Sequence, residues 1–118
     1  MKVKIALSLA GAALLLSLWP RAGRADIFDA IVICQVRGIR QGQLAVRPAP
    51  NGQPFAGLDN GNIVRAFGGT LSQDGTPWYE IRVLQGPNAR VEGRQGFVNA
   101  RYLRCRWYDE NGTLIRED

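Results

Sequence analysis

The stretch Trp78-Tyr79-Glu80-Ile81-Arg82-Val83-Leu84 decides the fold. Side chains of an extended strand point alternately to opposite faces. Tyr79, Ile81 and Val83 therefore share one face, the natural core side, while Trp78, Glu80, Arg82 and Leu84 share the other. The flanking sequence has the same short-period character. Ile31 to Val36 is rich in β-branched residues, Leu44 to Val46 alternates, and Ile63 to Phe67 follows the turn signal Asp59-Asn60-Gly61. Gly86 to Gly93 reads as a polar loop and Gly96 to Val98 as a short strand, before a brief turn at Asn99 to Tyr102. Leu103, Cys105 and Trp107 then fall on one face of a closing strand that runs to Tyr108. Beyond it, Asp109-Glu110-Asn111-Gly112 leads into Thr113-Leu114-Ile115, so residues 109–118 form either a small hairpin or a frayed tail. No stretch of this region carries an apolar repeat with helical spacing, and one all-β unit of five or six strands is the economical expectation.

The chain start has a different pattern. Lys2 and Lys4 precede an apolar run from Ile5 to Leu18, which Trp19 and Pro20 close before Ala22-Gly23-Arg24-Ala25. Basic, apolar and small-residue segments in that order predict a signal peptide over residues 1–25. The run of 14 residues makes a helix of about 21 Å, short of the roughly 30 Å of a bilayer core. Cleavage after Ala25 is favoured over an uncleaved anchor, although Arg21 and Arg24 are what an anchor would place on the cytoplasmic side. The cleaved chain has no stable membrane attachment and is exported, to the periplasm or beyond the cell.

Cleavage changes the charge. The whole chain carries +5, but residues 26–118 contain 11 Arg, no Lys and 10 acidic residues, a net charge of +1. Nucleic-acid binding needs a larger basic excess and is not expected. Cys34 and Cys105 lie near opposite ends of this region. In an oxidising compartment a disulfide is favoured over two separate thiols, and a bridge requires the first and last strands to be neighbours.

Several landmarks resemble one family. Cys34-Gln35-Val36 followed by Leu44-Ala45-Val46-Arg47-Pro48 is similar to the opening of bacterial Src-homology-3 domains. Phe55-Ala56-Gly57-Leu58 with Asp59-Asn60-Gly61 resembles that family's approach to its diverging turn, and Ile63 to Phe67 the strand after it. Trp78 to Val83 resembles the central tryptophan strand. Gly96-Phe97-Val98-Asn99-Ala100-Arg101-Tyr102-Leu103 resembles the closing signature, with Phe97 where tryptophan is frequent. The match spans residues 34–105 within a domain over 26–108. It implies a small SH3-like, partly open five-stranded barrel with adjacent first and last strands.

The chain has no histidine, which removes imidazole bases and histidine metal ligands. Asp59, Asp74, Glu80 and Glu92 sit in or beside predicted turns and read as turn-forming residues rather than an acid–base pair. No catalysis, metal or cofactor is expected. Binding is the better reading. By resemblance, Trp78 and Tyr102 stand where related domains form an aromatic groove, with Phe55 and Tyr79 as neighbours. The matching loop, Arg37 to Pro50, holds no acidic residue and carries Arg37, Arg40 and Arg47, which disfavours a basic proline-rich peptide and fits an anionic partner. Arg47 belongs to the resembling motif and has a structural alternative, bonding backbone carbonyls. Arg101, Arg104 and Arg106 read as a solvated face. The resemblance implies an exported module that recognises cell-wall peptide or an envelope protein. The alternative is a soluble interaction or inhibitor module for one exported partner.

Overall fold

The computed structural model describes residues 26–118, so the signal segment expected over 1–25 lies outside the described residues. Eight strands follow one another: β1 (Asp26–Val36), β2 (Leu44–Val46), β3 (Ala56–Leu58), β4 (Ile63–Leu71), β5 (Pro77–Gln85), β6 (Gln95–Asn99), β7 (Leu103–Tyr108) and β8 (Leu114–Glu117). A 3₁₀ turn over Ala100–Tyr102 joins β6 to β7. Among the described residues no helix is long and apolar enough to cross a membrane.

The strands form an open six-stranded antiparallel sheet in the order β6-β5-β4-β1-β7-β8 and a separate two-stranded ribbon of β2 and β3. The five-strand expectation therefore falls short by one strand in the main sheet. The missing strand is β8, because residues 109–118 form a hairpin on the outer edge of β7. Asp109 holds its turn by accepting from the backbone N–H groups of Asn111 and Thr113, each at 2.9 Å. The Arg116 guanidinium then lies 4.5 Å from the centroid of the Trp107 ring. A carboxylate that caps a turn and a cation over an aromatic face are both local, and together they favour the hairpin over a frayed tail.

Alternation along β5 holds as the sequence predicts. Ile81 and Val83 are buried and meet Val32, Val36, Val64 and Val98 from the neighbouring strands. The β2–β3 ribbon closes this core from the far side with Leu44, Val46 and Leu58. Each of these aliphatic side chains contributes about 1.5–3 kcal/mol by leaving water. Between Ile27 and Val32, four residues of β1 have no register partner on β4. The irregularity lets Phe28 turn inward, where its ring centroid lies 5.1 Å from Tyr79 and 4.8 Å from Trp107. This aromatic cluster plugs one end of the core.

Cys34 and Cys105 are direct cross-strand partners on β1 and β7, with Cα atoms 4.0 Å apart, and they form a disulfide. The bridge joins the first and last segments of the core and places the protein in an oxidising environment.

Candidate binding groove

The connection from β1 to β2 carries no apolar periodicity, and polar side chains hold it. Asn60, in the turn before β4, accepts from the Ile39 backbone N–H at 3.0 Å and donates to the Ile39 carbonyl at 2.8 Å. Gln43 donates to Asp59 Oδ1 at 3.0 Å, which engages that carboxylate. Gly61, at φ 92°, supplies the left-handed residue that this turn needs. The result is a polar arch over one end of the core.

Opposite the arch stands the 3₁₀ turn. Asn99 caps it by accepting from the Arg101 N–H at 3.0 Å. The Tyr102 carbonyl accepts from the Arg37 N–H at 2.9 Å, which ties the turn to the start of the arch. The Tyr102 ring is left 38% exposed. It lies between two adjoining hollows. One, of about 250 Å³, is lined by Ile39, Gln41, Gln43, Arg47, Trp78 and Asn99 among others, and the second, of about 460 Å³, by Gly38, Arg40 and Gln41.

Trp78 lies on the outer face of β5, as expected, yet only 5% of it is exposed. Three contacts cover it. Phe97 packs beside it in a small second cluster. Its indole N–H donates to Ser72 Oγ at 3.1 Å, and the Arg47 guanidinium lies 5.8 Å from the ring centroid. Arg47 in turn is fixed through its backbone, which exchanges two hydrogen bonds with Phe97 at 2.9 and 2.7 Å, and through Nη1, which donates to the Gly52 carbonyl at 2.6 Å. The structural alternative for Arg47 is thus realised, although the residue also lines the groove.

The sequence-stated positions divide cleanly. Trp78, Tyr102 and Arg47 come together on one groove. Phe55 and Tyr79 do not join them. Phe55 packs against the core beside Gly96 with the Arg94 guanidinium 4.5 Å from its ring centroid, and Tyr79 belongs to the aromatic plug on the inner face of β5. Burial pushes the Tyr79 phenol above its ordinary value, with the nearby Asp118 charge adding to the effect. The groove also has members that no sequence pattern marks. Gln41, Gln43 and Asn99 are isolated polar residues in loops, and only the closing of the arch onto the 3₁₀ turn brings them together.

The turn that supports Trp78 is itself acidic. Asp74 accepts from the Ser72 hydroxyl and from the Thr76 N–H, and these bonds hold its carboxyl below the usual range. None of the groove's lining residues is acidic. What it presents is a phenol, amide groups and two guanidinium groups around a largely covered indole, a set suited to carboxylates and peptide amides. No family model, curated protein or solved structure matches this chain.

Proposed function

We propose that the protein is an exported, non-catalytic binding module of the bacterial Src-homology-3 kind, and that the Tyr102 groove takes up extended, acidic peptide segments of the cell wall. The groove's composition carries this reading: an exposed tyrosine between two hollows, amide side chains on both walls, and Arg40 and Arg47 with no carboxylate among the lining. Stem peptides of the wall are short, extended and rich in carboxylates, so they match both the shape and the charge. The SH3-like reading draws support from the succession β6-β5-β4-β1-β7, from a β2–β3 ribbon within the β1-to-β4 connection, and from one 3₁₀ turn before β7. Localisation in the periplasm or outside the cell draws support from the signal segment expected over residues 1–25 and from the disulfide.

The test is backbone chemical-shift mapping with purified, soluble wall-peptide fragments. Shifts should cluster at Ile39, Gln41, Asn99 and Tyr102, and Tyr102→Ala and Arg40→Ala should each weaken the titration several-fold without lowering the melting temperature. Saturating fragments that leave these resonances unmoved would remove the wall-peptide reading.

One observation favours the second reading, an interaction or inhibitor module for one exported protein. Among the described residues the outer edge of β8 has no neighbouring strand, and an extended segment of a partner can pair with such an edge.

A further inference from the structure

The sheet face turned away from the core is organised by charge. Across neighbouring strands, Arg82 pairs with Arg65, Arg65 with Ile33, Ile33 with Arg106, and Arg106 with Glu117. Two arginines directly opposite each other repel, an arrangement that costs stability unless something compensates it. One row further along the strands, Arg104 faces Gln35, and Arg37 lies at the same end. A shallow hollow of about 460 Å³ with Ile33 and Ile63 in its floor runs between Arg37, Arg104 and Arg106.

The other end of this face is acidic. Asp29 lies there on β1, Glu80 sits opposite Gly68, and the Asp109-Glu110 turn follows Tyr108. Among the described residues the only ion pairs are Arg106–Glu117 at 3.8 Å and Arg116–Asp118 at 3.4 Å. Arg37, Arg65, Arg82 and Arg104 thus have no carboxylate partner, and neither Asp29, Glu80 nor Glu110 has a cation. From Asp29 to the level of Arg104 is about six residues, roughly 20 Å along the strand. That exceeds the Debye length of about 8 Å at physiological salt, so Asp29 and Arg104 cannot neutralise each other within one molecule, and Arg82 and Glu80, though two residues apart on β5, form no ion pair. Between them lies an apolar middle of Ile31, Ile33 and Phe67, with Ile31 37% exposed.

We propose that this face binds a second copy of the chain, face to face, about a two-fold axis that crosses the strands at the level of Val32, Ala66, Ile81 and Trp107. That level follows from the register: these four residues are mutual neighbours across β1, β4, β5 and β7. Rotation about such an axis reverses each strand over its own copy. Arg82 then meets Glu80 of the second copy and Glu80 meets its Arg82, because the two residues flank Ile81. Ile33 meets Ile31, Arg106 meets Tyr108, Arg65 meets Phe67, and Arg104 reaches the Asp109-Glu110 turn. Arg82 and Arg104 of one molecule thus meet Glu80 and the Asp109-Glu110 turn of the other, and the repulsion between Arg65 and Arg82 is offset by the carboxylate set against Arg82. Self-complementarity of this kind is what a two-fold dimer requires.

The area sets the strength. Five strands about 4.8 Å apart and six residues of about 3.3 Å each give roughly 480 Å² per copy, or about 1,000 Å² in all. That is the lower limit for a specific interface, so the dimer is weak and salt-sensitive.

Sedimentation velocity of protein purified from cells expressing the whole chain, followed with concentration at about 50 mM salt, should show a monomer–dimer equilibrium. Raising salt to about 500 mM should weaken association by about tenfold or more. Arg82→Glu and Glu80→Arg, each with unchanged melting temperature, should be monomeric alone, since each sets like charges against each other across the axis. Mixed in equal amounts, they should assemble, because every Arg82–Glu80 contact is then between opposite charges. A monomer at the highest soluble concentration in low salt overturns the proposal. So does a mixture that fails to assemble, or a monomer whose arginine face instead binds a soluble polyanion such as heparin and loses it on Arg82→Glu.

Discussion

Removing the bridge between β1 and β7 tests whether the two ends of the domain are held by sulfur or by the strand ladder. Cys34 and Cys105 are 71 residues apart in sequence and each is 1% exposed. In the chain-entropy treatment, cutting a loop of that length releases about 4 kcal/mol of unfolded-state entropy. Replacing each half-cystine by alanine also deletes one buried heavy atom, a loss comparable to a methylene at about 0.8 kcal/mol. Either single variant should therefore lose about 5 kcal/mol, and Cys34→Ala/Cys105→Ala about 6 kcal/mol rather than 10, because the crosslink is lost only once. For 93 residues (26–118), an unfolding entropy of about 2.1 cal/mol/K per residue converts that into a fall in melting temperature on the order of 20–30 °C. Equilibrium urea unfolding measures both terms. The denaturant slope should rise in the variants, since an uncrosslinked unfolded chain exposes more surface. Additive single losses, or a double variant within about 1 kcal/mol of wild type, would refute the reasoning and assign the junction to the ladder and the valines around it.

Three further outcomes follow from the same coordinates. Gly96→Ala places a Cβ 2.7 Å from the Arg47 carbonyl and from Val46 Cγ1, so the ribbon should lift from β6, at about 1–3 kcal/mol, with a red shift of tryptophan emission as Arg47 leaves Trp78. Asn60→Ala removes both bonds to Ile39 and should cost about 1–2 kcal/mol, with faster amide exchange confined to residues 38–43. The Tyr79 phenol has its folded value above the ordinary 10.0, so its contribution is whole below pH 10 and is lost as pH rises towards the folded value. Alkaline unfolding should therefore move to higher pH in Tyr79→Phe, read by circular dichroism.

Much of this architecture was legible in residue order because its determinants are local. Period-two alternation assigned Ile81 and Val83 to the core and Trp78 to the outer face, and the cysteine positions forced β1 beside β7. What alternation cannot report is what covers an outer face. Trp78 is buried in part because Arg47, the residue after β2 and more than 30 residues upstream, is laid across it. That contact is set by tertiary closure, not by spacing. Tyr79 shows the converse: its neighbour on the chain faces the groove, so proximity in sequence suggested the same role, while the pleat turned it to the opposite side. Phe55 went elsewhere because Gly96 leaves room for its ring. The eighth strand stays undecided between hairpin and tail in the sequence because all four of its residues, Leu114 and Ile115 included, are exposed and no buried face marks them.

The placement of β1 has a consequence for how the chain reaches this state. The segment made first among those described lies at the middle of the main sheet, flanked by β4 on one side and by β7 on the other. A ribosome or a translocation pore delivering the chain from its N-terminus therefore releases a strand that gains its second neighbour only when almost every later residue has emerged. Until then one hydrogen-bonding edge and the thiol of Cys34 stay open to other molecules, and folding waits on the most distant contact the domain makes. Slow closure of this kind makes holdase chaperones and thiol oxidases the factors that should govern yield.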